Sequence, residues 1–422
     1  MNILHLSTTD NQGGAARSTY RLHKALIDFD YNSKILVQYK TESDKTVDSI
    51  LDTRFERVKA KIRIYNEHYI IHRNNPISNF SVSKWGINIF DNPTIKTADI
   101  IHLHWINGGF LSIKNVCDIR EAGKPIIWTL HDMWAFTGGC HYSGDCEKYL
   151  SHCVKCPQLS SDKKKDLSYR IFRMKVKYFN NSDIVFVTPS EWMKSCVAKS
   201  ALFNKNRVYH IPNGIDLQQY KPVDSAIARS LYNLPQDRKI IAFGAANAIE
   251  DKRKGFSYLL KSLLKISQSG KFKEKICLIV FGAGFSPELD NLPFKVVSLG
   301  TLHDNAALCL AYNAADVFVI PSLEDNLPNT VLESFACGTP VVGFNCGGIK
   351  EMIDHRTNGY LAMYKDENDF SEGIQWVLEM ESGNGMLGRN AREKALNEYS
   401  IDRCAEQYSK LYKMLIDSAK QR

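Results

Sequence analysis

A chain of 422 residues that is 44% hydrophobic is long enough for two ordinary domains, each with its own apolar core. Its formal charge of +8, from 54 Lys+Arg against 46 Asp+Glu, is too mild a basic bias to argue for nucleic acid, and suits an anionic small ligand or an acidic membrane surface equally. Eleven cysteines scattered over such a length are not a small secreted disulfide framework, so a reducing compartment is expected.

The opening "MNILHLSTTD" lacks a basic start followed by a long apolar core, so it reads as a first strand and not as a secretory signal. "AARSTYRLHKALIDFD" follows with Ala16, Tyr20, Leu22 and Leu26 at helical spacing, and then "SKILVQY" as a second strand. From Arg54 to Arg73, "RFERVKAKIRIYNEHYIIHR" mixes basic and apolar residues in a helical pattern. It is either a solvated helix of the first domain or a basic amphipathic helix that lies against anionic lipid. The strands "DIIHLHW", "PIIWTLH" and "DIVFVTP" complete a first doubly wound α/β half. No apolar run approaches the roughly 20 residues of a membrane-spanning helix. A cytoplasmic protein is therefore expected, attached at most to the inner face of the membrane.

Pro212, Asn213 and Gly214 in "IPNGIDLQQYKP" punctuate the chain and mark a hinge. Beyond it "KIIAFGA", "KICLIVFGAG", "FKVVSLG", "DVFVIPS" and "TPVVGFN" form a second strand series, interleaved with helices such as "GFSYLLKSLLKIS". The expected domains are 1–208, 209–395 and a C-terminal segment 396–422, whose amphipathic helix places Tyr408, Leu411 and Leu415 on one side.

The densest chemistry lies in "PSLEDNLPNTVLESFACGTPVVGFNCGG", residues 321 to 348. A strand, an acidic loop and a helix follow one another, with Asn329 as the expected N-cap and Gly338 as the stop. The start of such a helix is a natural seat for phosphate, at the place where open α/β sheets bind ligands. The Glu333 carboxylate, one turn in, would accept hydrogen bonds from sugar or ribose hydroxyls, with Asp325 eight positions earlier in the loop. "NCGG" at 345–348 repeats the strand and glycine turn before a helix at "IKEMID".

Asp325, the turn Asn326-Leu327-Pro328, Glu333 and the continuation "ACGTPVV" resemble the acidic-x7-Glu signature of family 4 (group 1) glycosyltransferases of the bacterial polysaccharide type. "GGAAR", "TLHDMWAFTGGC", "VTPSEWM", "IPNGID", "KRKG", "FGAG" and "GGIKEMI" stand in the order that family shows. The resemblance implies the GT-B fold, an α/β architecture of two Rossmann-like lobes facing a cleft, with the C-terminal helix returning to the first lobe. It implies transfer of a sugar from a nucleotide-sugar donor to a glycan or lipid-linked acceptor, with retention of configuration and no catalytic metal. By that resemblance Arg253 and Lys254 face the donor diphosphate, and Asp325 is the first acid. Asn326, Leu327, Asn329, Thr330 and Val331 line the donor site, and Glu333 holds the ribose. Gly13 and Gly14 form the flexible loop near the donor phosphates, and His131 lies near the transferred sugar, where Asp132 would orient its ring or cap the next turn. Two departures stand out: "FGAANAIED" lacks the family's arginine after the first strand of the second lobe, and Asp325 replaces a usual glutamate.

"CHYSGDCEKYLSHCVKC" adds Cys140, Cys146, Cys153 and Cys156 in one loop. Their spacing suits a structural zinc site, and disulfides or free thiols equally. Two other readings of the whole chain are a nucleotide-sugar epimerase of the same two-lobe fold and a non-catalytic nucleotide-sugar-binding protein.

Overall fold

The β-branched runs pair into two separate sheets, both wholly parallel. The computed structural model describes all residues except 52, 162, 180–181, 245–250, 271, 273–274, 283–286 and 422, and the backbone but not the side chains of 382–384. By its internal contacts the chain divides into one unit of Met1–Pro212 with Cys404–Arg422 and another of Asn213–Arg403.

The first unit holds β1 (Asn2–Thr9), β2 (Asn32–Tyr39), β3 (Val47–Ser49), β4 (Ile100–Leu103), β5 (Ile126–Thr129), β6 (Val185–Thr188) and β7 (Val208–His210), in the order β3-β2-β1-β4-β5-β6-β7. Every residue of β4, β5 and β6 is buried. That is why these strands read as continuous apolar runs and not as alternating ones. Helix 14–28 crosses from β1 to β2, burying Ala16, Leu22 and Leu26. Helix 401–420 packs here too: Tyr408 and Tyr412 reach the sheet, their hydroxyls 2.7 Å from Thr129 Oγ1 and His102 Nδ1.

The second unit holds β8 (Lys239–Gly244), β9 (Ile276–Phe281), β10 (Lys295–Gly300), β11 (Val317–Ile320), β12 (Val341–Phe344) and β13 (Gly359–Ala362), in the order β10-β9-β8-β11-β12-β13. Helix 256–268 buries Phe256, Leu259, Leu263 and Ile266, a single helical stripe against the sheet. In both sheets the chain order reverses once, between β1 and β4 and between β8 and β11. Connections leave the two flanking strands in opposite directions there, which opens a crevice at their carboxyl ends.

Candidate functional site

In the second unit, β11 runs into the loop 321–328 and then the helix Asn329–Ala336. Two glycines let neighbouring loops close on this one. Gly255, after "KRK", has φ +68°, and a Cβ there would lie 1.8 Å from the Pro321 carbonyl oxygen. Gly347, in "NCGG", has φ +52°, and its Cβ would lie 2.2 Å from the Asp325 carbonyl oxygen. Neither position accepts a side chain without moving backbone. The closure is fixed by Leu323 N donating to Arg253 O (2.7 Å) and Gly348 N donating to Asp325 O (2.9 Å).

This packing gathers four charged side chains, two cations and two carboxylates. Lys254 Nζ donates to Asp325 Oδ2 at 2.7 Å and Arg253 Nη1 to the same oxygen at 3.3 Å. Arg253 is further held by the Glu324 carbonyl (2.7 Å) and by Asp251 Oδ2 (2.9 Å). Burial alone would raise the pKa of Asp325, but Lys254 and then Arg253 outweigh it and hold it at about 2. Asp325 is therefore a carboxylate throughout the neutral range, and the two cations are immobilised beside the start of helix 329–336.

The helix begins differently from the sequence expectation. Its N-cap is Pro328, with φ −65° and ψ 122°, and no side chain caps it. The prolyl ring sets the extended dihedral that a cap needs, so Asn329 becomes the first helical residue. Asn326 and Leu327 are buried, Asn329 and Thr330 half-buried, and Val331 belongs to the core. Glu333 is 2% exposed and accepts the Tyr312 hydroxyl proton at Oε2, 2.9 Å away. That partner lies on helix 305–314, twenty-one positions earlier. Residues 245–250, which contain most of "ANAIED", and the end of "FGAG" lie outside the described residues.

In the first unit, Gly13 caps helix 14–28 at φ +88°; a Cβ would meet nothing within 4 Å, so its backbone conformation and not space calls for glycine. Gly14 is the exposed first residue of that helix. His131 follows β5, and its Nε2 lies 3.2 Å from His104 Nδ1, whose Nε2 lies 3.0 Å from His5 Nδ1. His102, beside them, uses both nitrogens, on Tyr412 and on Thr129 at 2.7 Å each. His5, His102 and His104 gather their ring nitrogens within 4.8 Å, but only His5 Nε2 lacks a partner. His5 and His104 bond each other and His102 is engaged at both nitrogens, so the trio is not a set of free metal donors.

The orphan sets the chain's direction. An unpaired buried acceptor costs less than an unpaired N–H, so His5 Nε2 carries no proton. His5 then donates to His104, and His104 to His131 Nε2, which leaves the His131 proton on Nδ1; this tautomer is assigned from the network. Burial lowers the pKa of His131 to about 4 against the opposing Asp132 carboxylate, and lowers those of His5, His102 and His104 well below the ordinary value. Asp132 caps the next turn, accepting from Trp134 N at 2.8 Å, and its other oxygen accepts from His141 Nδ1 at 2.6 Å and Trp105 Nε1 at 3.1 Å. Sequence reasoning did not single out His5, His102 or His104; the available signal was histidine placed inside otherwise apolar strands.

Two doubly wound parallel sheets in one chain are the arrangement of the GT-B fold. Sucrose-phosphate synthase from Thermosynechococcus elongatus superposes with a TM-score of 0.69 over 99% of this chain and 100% of that one, at 18% identity. HepE of Anabaena, solved in complex with UDP-glucose, gives 0.66 over 98% and 100%, at 16%. The profile of Glycosyltransferase Family 4 matches residues 12–219 and that of Glycosyl transferases group 1 residues 237–380, and the chain belongs to this family. An Escherichia coli protein named for colanic acid biosynthesis, the glycosyl transferase WcaC, is 26% identical over 84% of this chain and 85% of its own length. An N-acetylgalactosaminyltransferase of Campylobacter jejuni, named for a diphospho-undecaprenol-linked acceptor, is 28% identical over 58% of this chain and 63% of its own.

Proposed function

We propose that this glycosyltransferase moves a sugar from a nucleoside-diphosphate donor to a glycan or lipid-linked acceptor of cell-surface polysaccharide synthesis, with retention of configuration. The observation that carries the reading is the Lys254–Asp325–Arg253 cluster at the carboxyl end of the β8/β11 crevice. Fixed cations and helix N–H groups are what a departing diphosphate needs, because they are oriented before charge develops. In this reading Lys254 and Arg253 neutralise the leaving group without a catalytic metal, and Asp325 positions them. Glu333 holds the donor ribose, and His131 hydrogen-bonds the transferred sugar as a neutral imidazole. The acceptor attacks on the face from which the diphosphate departs, a donor phosphate oxygen taking its proton.

The test is a thermal-shift screen of nucleoside diphosphates and their sugars, followed by transfer assays with the stabilising donor in the presence of chelator. Transfer with an unchanged anomeric configuration by NMR is expected. Nucleotide release without acceptor dependence would identify an epimerase, and binding without turnover on any acceptor a non-catalytic binder; either result overturns the proposal.

The same reading includes a membrane contact. Helix 54–74 turns Ala60 and Glu67 inward, with Glu67 Oε1 accepting from Val82 N and Ser83 N at 2.8 and 2.9 Å. Its outer face exposes Phe55, Val58, Ile62, Tyr65 and Tyr69, alternately three and four residues apart, among Arg54, Lys59, Lys61 and Arg73. An apolar stripe flanked by basic side chains suits an anionic bilayer surface, where a lipid-linked acceptor would reside. No helix among the described residues is long and apolar enough to cross a membrane. Co-sedimentation with anionic but not zwitterionic vesicles at low salt is expected; equal recovery with both, or with neither, removes this part.

A further inference from the structure

The loop that follows His131 contains a second chemical grouping which sugar transfer does not use. We infer that Cys140, Cys146, Cys153 and Cys156 form a structural site for one soft divalent cation, with zinc the best fit.

The four cysteines line one pocket together with Thr137, Gly138 and Ser168. Its free space is ≈ 10 Å³, against the roughly 10–15 Å³ needed for one water. A monatomic guest fits. None of the four is in a disulfide. Cys140, Cys153 and Cys156 are buried and Cys146 is half-buried.

The surrounding backbone is built toward the sulfurs. A Cβ on Gly138 would come within 2.7 Å of Cys153 Cβ, so the glycine lets the chain approach the cluster. The backbone N–H of Gly138 donates to Cys153 and that of Gln158 to Cys156. Cys156 N is itself held by Asp166 Oδ2 at 2.6 Å. Beneath the pocket the buried Lys175 Nζ donates to the Trp134 carbonyl and, at 3.0 Å, to that of Thr137, which ties helix 167–179 to the start of the loop.

The local fold also calls for a staple. From Thr137 to Asp166 the one regular element among the described residues is a single 3₁₀ turn, Lys148–Leu150. Its ladder contact is the antiparallel bridge of Cys140 to Phe80, where Ser81 N donates to Gly139 O at 2.9 Å and His141 N to Asn79 O at 3.2 Å, so most of so long a loop is held by other means. Soft thiolates select zinc over harder ions, and four of them satisfy its tetrahedral preference. The sulfurs are not gathered within 4.8 Å of one another. Zinc–sulfur bonds of about 2.3 Å would draw them together through side-chain rotation, with the half-buried Cys146 the freest to swing. Binding is balanced as one M²⁺ and four thiols giving a tetrathiolate dianion and four released protons.

The staple has a structural consequence. His141, next to Cys140, bonds Asp132 through Nδ1 and Ser81 through Nε2 at 2.8 Å. Fixing Cys140 therefore fixes the partner of Asp132, immediately beside His131.

The experiment is metal analysis of the full chain purified under reducing conditions without chelator. About one zinc per chain is expected, lost in Cys153→Ser/Cys156→Ser and retained in Cys117→Ser, which removes a thiol on helix 113–120, outside this loop. To separate loss of ligands from misfolding of the double variant, chelator-stripped wild-type protein is also titrated with cobalt. A saturating thiolate-to-cobalt charge-transfer band at one equivalent is expected. Wild-type protein that contains no zinc and takes up neither metal overturns the inference. So does an unreduced intact mass that shows these cysteines paired as disulfides. Both readouts are independent of transfer activity, so failure of the proposed reaction leaves this test intact.

Discussion

The two units use one sheet architecture and opposite electrostatics. At its switch point the second unit holds an ionised cluster, Asp325 between Lys254 and Arg253. The first unit surrounds its own switch strands, β1, β4 and β5, with imidazoles whose burial keeps them neutral. The cations suit an anion that develops charge, while neutral rings suit hydrogen bonding to hydroxyls without attracting a counter-ion. A common fold thus leaves the chemistry to the loops and to a few polar positions inside the strands.

Acid should separate the units most strongly. The pKa values of His23 and His131 are lowered by burial to about 4, and burial also holds those of His5, His102 and His104 well below the ordinary value. The unfolded chain takes up these protons first. The stabilisation is therefore fully present above the ordinary histidine pKa of about 6.5 and is lost as pH falls toward about 4. For His23 alone the loss is on the order of 3 kcal/mol. Asp325 has the same sign in a lower window, from its ordinary value near 4 down to about 2. Hydrogen exchange at pH ~7 and ~5 should show residues 1–212 losing protection well before residues 213–403; simultaneous loss would refute the contrast.

Next in size is removal of the principal cation. Lys254→Ala is expected to reduce kcat/KM by about 10²–10³-fold, the scale for losing one preorganised charge stabiliser. It leaves Asp325 with the longer Arg253 contact, so Tm should also fall. Ligand-free circular dichroism distinguishes lost chemistry from lost fold, and near wild-type kcat/KM would remove Lys254 from the site.

Gly347→Ala should cost about 2–4 kcal/mol of stability, because a left-handed φ and a 2.2 Å approach to the Asp325 carbonyl act together. Gly13→Ala, strained in φ but open in space, should cost about 1 kcal/mol. Comparing the two by urea denaturation isolates the contribution of loop closure; equal losses would mean that the contact with the acidic loop matters little.

Legibility followed sequence distance. The acidic loop, "KRKG" and "NCGG" are local signals, because turn glycines and charges sit beside the elements they join. Ten strands were readable as β-branched runs, whereas β3, β7 and β13 were not. The first two are three-residue strands, with β7 half-exposed throughout, and β13 opens with Gly359 on a sheet edge. The histidine chain was hidden for a different reason. Its rings come from β1 and the segments just after β4 and β5, and meet because the parallel pairing of β1 with β4 sets His5 opposite His102, two positions before His104. Glu333 likewise read as an open carboxylate because its partner, Tyr312, is on another helix.

The smallest effect gives the finest test of the first unit. His104 bridges His131 through Nδ1 and His5 through Nε2, so two amides can replace one bond at a time. The amide nitrogen of Asn lies near the position of Nδ1 and, as a donor, should keep the contact with His131; the side-chain oxygen of Gln can be turned to the position of Nε2 and accept from His5 Nδ1–H. Both variants remove the ring and should lose similar packing. If positioning of His131 matters for transfer, His104→Gln should lower kcat about five- to tenfold, the value of roughly one hydrogen bond, while His104→Asn stays closer to wild type. Equal kcat in the two variants would reduce His104 to core filling. Nitrogen-15 NMR of labelled histidine checks the direction of the chain directly: His131 should carry its proton on Nδ1, and a proton on Nε2 would reverse the assignment that the unpaired nitrogen of His5 dictates.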